Sequence, residues 1–131
     1  MGVDFYLLDT HVLLWWLFDD PSLSKHAKDT IMAPESRIFV SSVSGWEISI
    51  KYHIGKMPHA GHIVKELPLY IRRERFELLP ISLEHAIAAG ALDGKHKDPF
   101  DRMLIAQART EELTLISNDK IFKKYKVPLW W

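Results

Sequence analysis

The chain has 131 residues, 17 Lys plus Arg against 17 Asp plus Glu, and no cysteine. At 47% hydrophobic and 26% charged it has the apolar material for one ordinary domain, residues 1–131, and is not a disordered polar chain. The missing cysteines exclude disulfides, thiolate chemistry, iron–sulfur clusters and Cys-type zinc sites, and zero net charge withholds the simplest argument for a nucleic-acid partner.

Met1-Gly2-Val3-Asp4 carries no basic stretch ahead of an apolar run, so it does not read as a secretory signal. The longest apolar run, Val12–Phe18, falls far short of the roughly 20 residues that span a bilayer. A soluble, cytoplasmic protein is expected. Asp4 to Leu8 reads as a buried strand, and Asp9-Thr10 as the start of a helix to Phe18. Ser22 or Ser24 caps a second helix towards Met32, and Arg37 to Ser41 is a β-branched and aromatic strand. Val43 to Tyr52 is helical, with Val43, Trp46, Ile50 and Ile54 on one face and a stop at Gly55-Lys56. A helix over Ile63 to Arg75 is interrupted by Pro68. Phe76 to Pro80 is a short strand, and Ser82 caps an alanine-rich helix to Leu92. Asp98-Pro99 opens a helix through Arg109, with Asp98 as cap and Pro99 in the first helical position. Leu113 to Ser117 is a further buried strand, Asp119 starts a short helix, and Val127 to Trp131 is an edge strand. Strands separated by helices imply a parallel sheet covered on both faces, with ligands at the carboxyl ends of its strands.

In such a sheet Asp9, Glu47, Asp101 and Asp119 approach one rim from four parts of the chain. Carboxylates so close raise one another's pKa values unless cations hold them. All-oxygen ligands suit Mg²⁺ or Mn²⁺, and two such ions ~4 Å apart activate a water and stabilise the leaving oxygen of a phosphodiester. A plainer reading competes. Asp9, Asp98 and Asp119 all stand where an Asp caps a helix, Asp101 suits a helix dipole, and Glu47–Lys51 is an exposed pair one turn apart.

Four segments occur in order: Leu7-Leu8-Asp9-Thr10-His11; Ser44-Gly45-Trp46-Glu47-Ile48 with Lys51 and Gly55-Lys56; Asp98-Pro99-Phe100-Asp101-Arg102 with Ile105-Ala106-Gln107-Ala108; and Ser117-Asn118-Asp119. Together they resemble the PIN-domain nucleases, most closely the VapC-type toxins of prokaryotic toxin–antitoxin pairs. The resemblance implies a three-layer α/β/α sandwich with a mostly parallel sheet and a Mg²⁺- or Mn²⁺-dependent endoribonuclease. It maps the acidic site onto Asp9, Glu47, Asp101 and Asp119, with Asp9 and Asp101 as principal metal ligands. Thr10, Ser117 and Asn118 then orient carboxylates or water, and Asp98 serves mainly as a cap. The resemblance also implies an antitoxin partner and a homodimer. The rival readings are a PIN-like nuclease of RNA processing or DNA cleavage, and a non-catalytic binding scaffold.

Other chemistries lack their motifs: there is no His-Glu-x-x-His, Gly-x-Ser-x-Gly, Walker or Gly-x-Gly-x-x-Gly pattern. Basic clusters at Arg72-Arg73-Arg75, Lys95-His96-Lys97 and Lys120-Lys123-Lys124-Lys126 are candidates for holding RNA phosphates, and Arg102 for pairing with a carboxylate. Val12–Phe18 is apolar all round, which suits either a well-wrapped helix or a face for a partner. Setting the four site acids aside, 17 less four leaves 13 acids against 17 bases, a mildly basic remainder compatible with RNA.

Overall fold

The computed structural model describes residues 4–94 and 98–131. Five strands form one parallel sheet: β1 (Asp4–Leu8), β2 (Ser36–Ser41), β3 (Glu77–Leu79), β4 (Thr114–Ile116) and β5 (Leu129–Trp130), in the order β3-β2-β1-β4-β5. The central strand β1 reads as a continuous apolar run because both of its faces are covered. Tyr6 and Leu8 enter one core with Ile38, Val40 and Ile116, while Leu7 enters the other with Leu104, Ile105 and Leu115. The first core is closed by α1 (Thr10–Leu17), α2 (Lys25–Met32) and α4 (Gly61–Arg73), the second by α6 (Pro99–Thr110), against which α5 (Leu83–Ala91) packs. This is the expected three-layer α/β/α sandwich. Among the described residues no helix is long and apolar enough to cross a membrane.

Local chemistry sets most boundaries. Ser24, rather than Ser22, caps α2 by accepting from the Ala27 amide. Ser82 caps α5, and His85 completes the reciprocal capping box. Pro68 lacks the amide a helix interior needs, and α4 is broken just before it, at Glu66 (φ −122°, ψ 19°).

One face was misread. Of the stripe Val43, Trp46, Ile50 and Ile54 expected along α3 (Ser42–His53) and its end, only Val43 is buried. Trp46 and Ile54 are exposed, whereas Val43, Ser44, Glu47 and Ile48 are buried. The inward side of α3 is therefore partly polar, and it faces the rim where the strands end.

Candidate active site

Asp9 is the first residue beyond β1, and its amide is still held by the Ile116 carbonyl of β4 at 3.1 Å. It occupies the N-cap position of α1 with extended backbone, yet its side chain makes no capping hydrogen bond. Its Oδ2 instead accepts from Ser117 Oγ at 2.8 Å, and the residue is only 5% exposed. Asp98 and Asp119 occupy equivalent positions and do cap. Asp98 Oδ1 accepts from the amides of Phe100 and Asp101, and Asp119 Oδ1 from that of Ile121. Of the three candidate caps, Asp9 alone is diverted from that task.

Burial pushes the Asp9 carboxyl up to about 6; the Ser117 hydrogen bond and His11 pull it down, and Asp101 and Glu47 raise it further. The last two effects place three acids within electrostatic reach of one another. Glu47 reaches the rim because α3 turns its polar side inward. It does pair with Lys51, at 2.5 Å, but from a buried position, and not as the exposed pair of the plainer reading. On the outer side of α3 the Trp46 ring meets Phe100 edge-on at 5.0 Å, which holds this helix against the start of α6 beside Asp101. Asp101 is half-buried in the first turn of α6.

Hydroxyl groups knit the rim. Thr10 Oγ1 and Ser44 Oγ share a buried hydrogen bond of 2.9 Å, joining α1 to α3. Ser44 heads one of the four sequence segments but had no role assigned there, although Ser44, Glu47 and Lys51 recur at helical spacing as a polar stripe. Ser117 Oγ donates to Asp9 and accepts from the Asp119 amide at 3.0 Å. Asp119 is exposed, so its backbone rather than its carboxylate is tied to Asp9. Asn118 is exposed beside it. Arg102 donates to the carbonyls of Ala89 and Leu92 at the end of α5.

Among the described residues no three Asp, Glu or His side chains form a ready-made ligand cage. The donor set nonetheless fits a hard divalent cation. Every candidate ligand is a carboxylate oxygen, and the buried Asp9 carboxyl is raised on balance despite His11 nearby and the Lys51 that pairs with Glu47. Of the basic clusters, Arg72, Arg73 and Arg75 are exposed around the end of α4, and Lys120 to Lys126 surround the turn that follows Asp119. Lys95-His96-Lys97 lies outside the described residues.

The sequence model of the PIN domain family matches residues 6–128. No curated protein matches significantly in sequence. Solved structures with a similar fold include VapBC2 from Rickettsia felis bound to a DNA fragment from its promoter, at 21% identity and a TM-score of 0.71, over 96% of this chain and 97% of that one. FitAcB from Neisseria gonorrhoeae is 21% identical with a TM-score of 0.68, covering 96% of each chain. VapBC-1 from nontypeable Haemophilus influenzae is 17% identical with a TM-score of 0.65, again over 96% of each.

Proposed function

Since this chain belongs to the PIN domain family, we propose that it is a Mg²⁺- or Mn²⁺-dependent endoribonuclease, the toxin of a toxin–antitoxin pair. It acts in the cytoplasm, with residues 1–131 as one nuclease domain. The observation that carries this reading is the Asp9 carboxylate, buried, uncapped and facing Glu47 and Asp101 at the carboxyl end of the sheet. The metal would be held by Asp9 and Asp101, with Glu47 and Asp119 completing the site. Once bound, it supplies Lewis acidity for activating water and stabilising the leaving oxygen of a phosphodiester.

The chain's own groups position and charge this site. With a pKa of about 6, Asp9 is mostly ionised at neutral pH and presents a carboxylate rather than an acid. Ser117 fixes its orientation, Lys51 fixes that of Glu47, and the Thr10–Ser44 bond fixes the distance between the two helices that carry Asp9's neighbour and Glu47. Asp98 sets the start of α6 and therefore the place of Asp101.

The toxin assignment draws on the solved complexes of similar fold. The antitoxin is assigned to the Val12–Phe18 helix. Its first half is wrapped by the core, while Trp15 to Phe18 are only half-buried and Trp15 and Trp16 border a cavity of about 420 Å³. That end suits an amphipathic partner segment. Exposed Leu83 and Ile87, one turn apart on α5, provide an apolar face for a homodimer.

The test is incubation of pure protein with mixed RNA and DNA in Mg²⁺, Mn²⁺ or EDTA. RNA cleavage that EDTA stops is expected, as is growth arrest relieved by co-expression of the adjacent gene's product. Inert protein that binds no metal would overturn the reading.

A further inference from the structure

A cavity of about 260 Å³ opens beside the acidic rim, and its wall includes Ser117 and Asp119. The rest of the lining has different chemistry: Lys120 and Lys123 from the turn after Asp119, and Trp130 and Trp131 at the end of β5. Both lysines are exposed, and neither forms an ion pair with a described residue. Trp130 is committed to the fold: its Nε1 donates to Thr30 Oγ1 at 2.7 Å, and its ring lies 4.6 Å from that of His26. Trp131 is half-buried: its carbonyl accepts from His26 Nδ1 at 2.8 Å, and its ring meets Trp15 edge-on at 5.8 Å and lines the cavity.

From this juxtaposition we propose that the cavity is a nucleotide subsite, in which Trp131 stacks on the base next to the scissile phosphate and Lys120 and Lys123 hold the flanking phosphates. The inference rests on the nuclease reading and deepens it, because it names the groups of this chain that hold the base and phosphates beside the cleaved bond. A base inside a duplex is stacked on both sides and has no face to offer, whereas an unpaired base does. Continuity with Ser117 and Asp119 places any occupant against the acidic rim. The two lysines supply the positive charge that a phosphate chain needs beside so many carboxylates.

Two readouts with a short single-stranded oligoribonucleotide test this. One is cleavage in Mn²⁺, resolved into kcat and KM. The other is binding in Ca²⁺ followed by tryptophan fluorescence, with an RNA duplex and an oligonucleotide abasic at the neighbouring position as controls. Trp131→Leu should weaken binding and raise KM about 5- to 100-fold. Trp131→Phe should retain most of both, and the abasic substrate should erase the difference between wild type and Trp131→Leu. Lys120→Ala with Lys123→Ala should weaken binding of every sequence alike and flatten its salt dependence. Circular dichroism separates loss of the Trp15 contact from loss of stacking, and the lysine pair decides if Trp131→Leu does not fold. Cleavage that ignores Trp131, or an equal abasic penalty in wild type and variant, would overturn the subsite and leave the nuclease intact. So would a Trp131→Leu variant that loses only the antitoxin. Base-dependent binding without cleavage would overturn the nuclease reading and leave the subsite.

Discussion

The molecule buries two polar clusters on opposite electrostatic terms. Between α5 and α6, His85 is almost fully buried, and each ring nitrogen is matched. Nδ1 accepts from the Ser82 amide at 3.0 Å, and Nε2 lies 2.9 Å from Glu111 Oε2. Gln107 joins them, donating to the Pro80 carbonyl, while its buried Oε1 has no hydrogen-bond partner among the described residues. At the rim the order is reversed: Asp9 is as deeply buried, but Glu47 and Asp101 bring like charge towards it. A cluster whose donors all meet acceptors, with one amide oxygen left over, serves the fold. One whose carboxylates lie near carboxylates costs stability, a cost that a bound cation would relieve.

The sharpest way to break this contrast is to replace the rim acids. Asp9→Asn and Asp101→Asn should each lower RNA cleavage more than about a thousandfold, roughly 4 kcal/mol of transition-state stabilisation. Asp9→Asn should at the same time stabilise the metal-free protein at pH 7, by on the order of 2–3 kcal/mol, since it removes a carboxylate that burial and the nearby Asp101 and Glu47 disfavour. The sign follows from linkage. A carboxyl raised to about 6 in the folded state binds more protons there than when unfolded. Stability of the metal-free wild type therefore falls as pH rises from about 4 to above 6, and the Asn variant should lack that slope. Denaturant titrations across this range decide it, and a destabilised Asp9→Asn would return Asp9 to a structural role.

Ser117→Ala leaves every carboxylate in place and removes only the hydroxyl between Asp9 and the Asp119 amide. Metal affinity or cleavage should drop about 10- to 100-fold, read by metal titration. The other cluster should answer differently. His85→Ala is expected to cost about 1–3 kcal/mol in unfolding experiments with unchanged cleavage per folded molecule. A large fall in kcat would erase the distinction between the two clusters. Smallest of all should be Glu77→Gln at the surface. Arg37 holds the Glu77 carboxyl below its ordinary range, and the pair is exposed, so any loss of stability should vanish in high salt.

Much of the architecture was readable from neighbouring residues. The apolar run of β1, the Ser82 and Asp98 caps, the break at Pro68 and the strand after Leu113 are each set by interactions a few residues long. The site was readable as a list of acids but not as an arrangement. Asp9, Asp98 and Asp119 share one local signature, and α3 showed a plausible apolar stripe on the wrong side. A periodicity search follows apolar residues, and the buried side of α3 includes Ser44 and Glu47.

By itself the sequence determined the alternation of strands and helices, and hence a covered parallel sheet. With no cysteine, it also excluded thiolate ligands from any metal site. Tertiary structure alone decided which aspartate is released from capping, which face of α3 turns inward, and which acids meet. The reason is distance along the chain. Caps and turns are settled within about four residues, whereas the Ser117–Asp9 bond spans 108 positions and exists only once β4 lies beside β1.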